Sequence, residues 1–312
     1  MQGISGCRTI GSAADRRIDA SVLQRIGGTP LLALRRIVPD ACARVLIKLE
    51  SANPTGSMKD RMALAMIAAA ERSGGLKPGG RVVEYTGGST GVSLAFVCAA
   101  RGYSLSLVTS DAFSIEKRRH MAALGAELTA RQIAGQTGAF WTDQLNNTDQ
   151  LTAYHAMADE IWAQTDGRID AFVQSAGTAA CVRGVAEGLR RRKPDLRIVA
   201  VEPQESAVLS GGQSGVHKIE GVGAGFVVPL WNPSIADEIA PVSTEAAMAM
   251  ARRLARSEAL FAGTSTGANL AAAIALGLRL GPDATVVTVM CDSGLKYLST
   301  PLYAGDPAIP PQ

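Results

Sequence analysis

Two hydrophobic rhythms alternate along this 312-residue chain. Short runs rich in β-branched residues predict strands: "RVLIKLE" at 44–50, "RVVEYT" at 81–86, "LSLVTS" at 105–110, "AELTA" at 126–130, "AFVQS" at 171–175, "RIVAVEP" at 197–203, "LFAGTS" at 260–265 and "TVVTVMC" at 285–291. Longer Ala- and Leu-rich stretches between them repeat at helical spacing. They include "MALAMIAAAERSG", "GVSLAFVCAARGY", "DQLTAYHAMADEIWAQT", "VRGVAEGLRRR" and "ANLAAAIALGLRLG". Strand–helix–strand alternation builds βαβ units, so the predicted fold class is α/β, with open, mostly parallel twisted sheets covered by helices on both faces. The length suggests two lobes, and the pattern breaks at "DGRID", residues 166–170.

Composition narrows the classes. Hydrophobic residues make up 47% and charged residues 19%, a globular balance, and a net charge of +3 gives no argument for nucleic acid. The longest apolar runs, such as "VSLAFVCAA", fall short of the roughly 20 residues of a membrane span. The N-terminal stretch lacks the apolar core of a signal peptide. Cys7, Cys42, Cys98, Cys181 and Cys291 are scattered, with no CxxC pair, and predict reduced thiols in a cytoplasmic protein with no metal site.

Ligands of open α/β sheets bind beyond the carboxyl ends of strands, so the Gly/Ser/Thr-rich loops there are the places to seek chemistry. "GTSTG", residues 263–267, matches the G-x-S-x-G elbow of hydrolases, but the last histidine, His217, precedes the serine, and the elbow reading fails for want of a base. "GVGAG", residues 221–225, is followed by "FVVPLWNPS", with no helical period, and so is no dinucleotide fingerprint. "EYTGGSTGVSLAFV" from Glu84 and "FVQSAGTAACVRGVAEGL" from Phe172 are each a strand, a glycine turn and a helix, an arrangement whose N–H groups bind anions. Two anion cradles and Lys59, in "NPTGSMKDR", call for one ligand with two anionic ends and a carbonyl.

Five motifs in order, "NPTGSMKDR", "TGGSTG", "AGTAACVRG", "EGVGAGF" and "CDSGLKYLST", resemble the cysteine synthase and cystathionine β-synthase family of pyridoxal-phosphate enzymes, and the similarity runs from "IGGTPLLAL" to "SGLKYLSTPLY". The resemblance implies a tryptophan synthase β-subunit-like fold with a smaller, mobile lobe at 47–163. It implies a cofactor lobe at 14–46 plus 164–303, and tails at 1–13 and 304–312. It makes Lys59 the catalytic residue and imine lysine. Thr86, Gly87, Gly88, Ser89 and Thr90 become the clamp on the substrate carboxylate, with Gln144 as an added contact. Ser89 also contacts the cofactor ring, Gly177, Thr178, Ala179, Ala180 and Cys181 form the phosphate cup, and Ser293 faces the pyridine nitrogen. The implied activity is that of a lyase/transferase: β-replacement on an activated L-serine through an aminoacrylate, with O-acetyl-L-serine and sulfide giving L-cysteine and acetate. A homodimer handling small molecules, without nucleic acid or membrane, is implied as well.

Three departures stand out. Serine occupies position 89 where the family has asparagine, and the cup reads "GTAAC" instead of G-T-G-G-T. Between "GAELTA" and "GAFWTDQLNN" the family has a further loop and helix, and here only "RQIAGQT" stands. Cystathionine synthesis, diaminopropionate synthesis, serine/threonine deamination and a non-catalytic binding role stay open as alternatives.

Overall fold

The computed structural model describes residues 21–86, 88–108, 115–125 and 139–304, with the backbone of 127–129. The chain makes two sheets. The larger has the order β1 (Leu31–Ala33), β2 (Arg44–Leu49), β10 (Thr285–Met290), β7 (Ala171–Ser175), β8 (Arg197–Pro203) and β9 (Glu238–Val242). All its neighbours are parallel except β1 with β2. The smaller is parallel throughout: β5 (Glu127–Thr129), β4 (Ser104–Val108), β3 (Arg81–Tyr85) and β6 (Phe140–Trp141).

Burial explains which strands the hydrophobic pattern revealed. Every residue of β7 is buried, as a central strand covered on both faces requires, and five of the six in β10 are. Short edge strands leave a weak signal, and β1, β6 and β9 were not predicted. Pro241 sits in β9 because an edge position needs no N–H from it. "LFAGTS" is not a strand: Ala262 makes one isolated bridge to Ser293, and Gly263 turns the chain into α7 (Thr264–Leu280). The lobe boundary drawn at residue 47 also needs correction. β2 runs unbroken through it and pairs with β10 along its whole length, so 47–49 belong to the larger sheet.

Helices α4 (Gln150–Gln164) and α5 (Ala180–Arg190) pack together on one side of the larger sheet, and α6 (Thr244–Glu258) and α7 on the other. Helix α1 (Lys59–Ser73) packs against both α2 (Ser89–Arg101) and α4 and so joins the two sheets. Met62, Met66 and Ile67 of α1 are fully buried in that seam. None of the helices among the described residues is long and apolar enough to cross a membrane.

Candidate active site

A cleft of about 500 Å³ opens between the sheets, and nearly all the elements predicted to bear chemistry end on it. Lys59 is the first residue of α1. The turn before it is held by Asp60, whose carboxylate accepts from Thr55 N (2.8 Å), Thr55 Oγ1 (2.5 Å) and Ser93 Oγ (2.6 Å). Burial pushes the Asp60 carboxyl up, and the bonds from Ser93 and Thr55 oppose that shift. With Asp60 and Arg61 turned into the protein, Lys59 is left half-buried on the cleft wall.

The smaller sheet supplies one wall. Thr86, Gly88, Ser89 and Thr90 line it at the carboxyl end of β3 and the start of α2, where the first helical N–H groups have no acceptor within the helix. Gly87 lies outside the described residues, as does the whole of segment 130–138. Thr90 Oγ1 donates to Gln144 Oε1 at 2.8 Å, so Gln144 stands beside the clamp with its amide NH2 left to donate. The turn carrying Gln144 is stitched by Gln150, whose Nε2 donates to the carbonyls of Gln144 and Asn147, both at 2.7 Å. Glu84 accepts from Gln144 N at 3.2 Å and from the Thr142 hydroxyl, and burial pushes its carboxyl up.

The larger sheet supplies the facing wall. Gly177 and Thr178 line it between β7 and α5, and Thr178 Oγ1 donates to Gln150 Oε1 at 3.4 Å, tying this loop to the Gln144 turn. Position 177 must be glycine, because a Cβ there would lie 2.3 Å from the Gly221 carbonyl. The side chains of Ala179, Ala180 and Cys181 are buried behind this wall and do not line the cleft, which leaves only their backbone to face a ligand. Ala179 holds a left-handed φ of 65° as the residue before α5, a conformation that glycine adopts without strain. Burial pushes the Cys181 thiol well up, so it stays neutral.

Ser293 does not line the cleft. Its side chain accepts from Leu295 N at the start of the 3-10 turn Gly294–Tyr297, and its N–H donates to Gly56 O at 2.9 Å. This placement does not support the expected role facing the pyridine. Asp292 and Ser265 line the wall in its place. Asp292 Oδ2 is occupied by Ser89 Oγ (3.0 Å) and Tyr297 OH (2.8 Å). Its Oδ1 packs against Gly263, where an added Cβ would lie 2.5 Å away. Ser265, at the start of α7 and 5% exposed, is a neutral hydroxyl residue on this stretch of the wall. Its signal was in the sequence: the "GTSTG" turn does present a serine at a helix N-terminus, and failure of the hydrolase reading removed only one use for it.

Lys59 thus offers an amine on the cleft wall, with the N-termini of α2 and α5 placed on either side as two anion-binding ends. The chain belongs to the pyridoxal-phosphate dependent enzyme family, whose pattern it matches over residues 22–292. It is 43% identical over 309 residues to a cysteine synthase of Staphylococcus aureus (strain N315), an alignment covering 94% of this chain and 99% of that one. Among solved structures it resembles cysteine synthase from Entamoeba histolytica (TM-score 0.90, 35% identity, 98% of this chain and 96% of that chain). It also resembles O-ureido-L-serine synthase (TM-score 0.88, 35% identity, 94% and 98%).

The residues present fit pyridoxal phosphate. Lys59 provides the primary amine, and the N-terminus of α5 provides N–H groups for a phosphate. Ser175 Oγ, on a cleft-lining residue, is buried without a partner, an arrangement that favours a polar ligand beside it.

Proposed function

We propose that the chain makes L-cysteine by β-replacement, converting O-acetyl-L-serine and sulfide to L-cysteine and acetate. The observation that carries this reading is the convergence of Lys59, the Thr86–Thr90 loop and the Gly177–Thr178 loop on one cleft. Its likeness to cysteine synthases over nearly its whole length supports the same reading.

When bound, the cofactor supplies an aldehyde carbon for the amine and a conjugated ring that draws electrons from the substrate Cα. The protein's residues do the rest. Lys59 Nζ would hold the cofactor by that carbon and, when free of it, would take the proton from the substrate Cα. The Cβ–O bond breaks, with its electron pair leaving on acetate. Sulfide sulfur then bonds to Cβ, and Lys59 returns the proton to Cα. The N–H groups at the start of α2, with Thr86, Ser89, Thr90 and Gln144, hold the substrate carboxylate, so that Lys59 meets Cα and not solvent. Backbone N–H groups of the Gly177–Thr178 loop and the first turn of α5 would hold the cofactor phosphate, and Ser265 would be the hydroxyl at its ring nitrogen. A hydroxyl there leaves the ring less protonated than a carboxylate would, which favours expulsion of a leaving group over long-lived charge at Cα.

Closure of the smaller lobe excludes water during these steps, with Ser89 to Asp292 (3.0 Å) as one contact between the walls. A cytoplasmic homodimer is part of the same proposal, in keeping with the free thiols of Cys42, Cys98, Cys181 and Cys291. The test is cysteine formation from O-acetyl-L-serine and sulfide by the cofactor-loaded protein. Turnover that vanishes in Lys59→Ala supports the reading, and loaded protein that makes no cysteine overturns it.

A further inference from the structure

The cleft carries a charge arrangement that the reaction above does not use. Lys117, on α3 (Ile115–Ala123), has a side chain only 2% exposed, and its Nζ lies 2.5 Å from Glu220 Oε2 across the cleft. The same Nζ sits 4.2 Å from the centre of the Tyr297 ring. Glu220 is fixed on the larger lobe, its N–H donating to Thr264 Oγ1 at 3.2 Å. It directly precedes Gly221, whose carbonyl lies against Gly177 in the loop assigned to the cofactor phosphate. Both members of the pair line the cleft.

Among the described residues lining that cleft the cations are Lys59 and Lys117, with no arginine. Lys59 is committed to the cofactor, and Lys117 is committed to Glu220. Glu84, Asp143 and Asp292 line the same walls and add only negative charge. A phosphomonoester brings a charge of about −1.5 to −2 at neutral pH and needs cations or several N–H donors to meet it. An acyl ester brings none.

We propose that Glu220, by holding Lys117, sets the class of serine derivative the enzyme accepts: esters whose β-substituent is uncharged, with phosphorylated serine turned away. This rests on the β-replacement reading and assigns a specificity residue within it. Glu220 acts through Lys117, so replacing the acid releases a cation into the cleft and admits a charged substituent.

The experiment compares kcat/KM for O-acetyl-L-serine and O-phospho-L-serine at fixed sulfide in the wild type, Glu220→Gln and the double variant Lys117→Met/Glu220→Gln. The wild type is expected to favour the acetyl donor by about 100-fold or more. Glu220→Gln should lower that preference at least ten-fold, with most of the change in the phospho donor, and the double variant should restore it. Equal use of both donors by the wild type overturns the proposal, as does an unchanged preference in cofactor-loaded Glu220→Gln.

If Glu220→Gln fails to hold the cofactor, inhibition by inorganic phosphate in the wild type and Lys117→Met decides. Equal inhibition supports a lysine already neutralised, and weaker inhibition in Lys117→Met overturns it. If neither donor is turned over, the cysteine-forming reading fails separately. The inference is then read from which donor perturbs the cofactor absorbance: the acetyl donor alone supports it, and the phospho donor overturns it.

Discussion

Lys59 and Arg61 stand two residues apart on the first turn of α1 and meet opposite surroundings. Arg61 is 5% exposed and saturated with partners. Its Nε donates to Glu50 Oε2 at 2.7 Å, and its Nη2 to Glu50 Oε1 at 2.9 Å and Glu160 Oε2 at 2.8 Å. Its Nη1 reaches Glu160 Oε1, also at 2.8 Å. Lys48 completes the cluster, with Nζ 2.7 Å from Glu160 Oε2. The Lys59 side chain makes no hydrogen bond or ion pair among the described residues, its backbone N–H donating to Ser57 Oγ at 3.2 Å, and the residue lines the cleft. Helical geometry rotates successive side chains by about 100°, so neighbours in "KDR" face different environments. A buried cation with every donor occupied fixes the frame, whereas one held at a cleft without a partner is available for chemistry.

The sharpest way to break this contrast is to remove each cation. Lys59→Ala should lower turnover by on the order of 10³-fold or more, as loss of a general base does, with unfolding free energy changed by less than about 0.5 kcal/mol. Arg61→Met should do the reverse. It leaves the buried Glu50 without its cation and Glu160 with Lys48 alone, and costs about 3–5 kcal/mol in urea unfolding, while the loaded protein that remains folded keeps its cofactor absorbance.

Acid provides a gentler probe of the same cluster. Burial raises the Glu160 carboxyl, but bonds from Arg61 and Lys48 outweigh it and hold the group down at about 2, against 4.5 for the free side chain. A depressed carboxyl stabilises the fold above its unfolded value and loses that contribution as pH falls through its folded value. The stability gap between wild type and Glu160→Gln should therefore be constant above pH 4.5 and close between pH 4.5 and 2. Urea midpoints across that range check it.

The smallest effects separate the two serines. Ser265→Ala should lower turnover about ten-fold, near 1.4 kcal/mol in the barrier, and shift the cofactor absorbance. Ser293→Ala should leave turnover unchanged and cost about 1 kcal/mol of stability, because its hydroxyl caps a turn. An activity loss confined to Ser293→Ala would reverse the assignment.

The hydrophobic rhythm was enough to find β7, β8, β10 and the long helices, because each buries a continuous apolar face whose period is visible without the fold. Strands of two or three residues such as β1 and β6 carry too few positions for a period. The loops of the site were legible as glycine turns between strand and helix. Their mutual placement was not, and Ser265 and Ser293 show the difference. Both follow short apolar runs ahead of a turn, and both are serines at the start of a helical segment. Tertiary placement separates them: Ser265 lines the cleft, whereas Ser293 is turned to the Gly56 carbonyl and the Leu295 N–H.

The sequence alone determined the α/β class, the family resemblance and the choice of Lys59 as the candidate amine, since these rest on local periodicity and short ordered motifs. Tertiary structure decided that Ser265 and not Ser293 faces the cleft, that Arg61 is frame while Lys59 is free, and that Lys117 meets Glu220. These pairings join residues as much as 103 positions apart, and such contacts depend on the packing of whole sheets and not on the propensity of any segment.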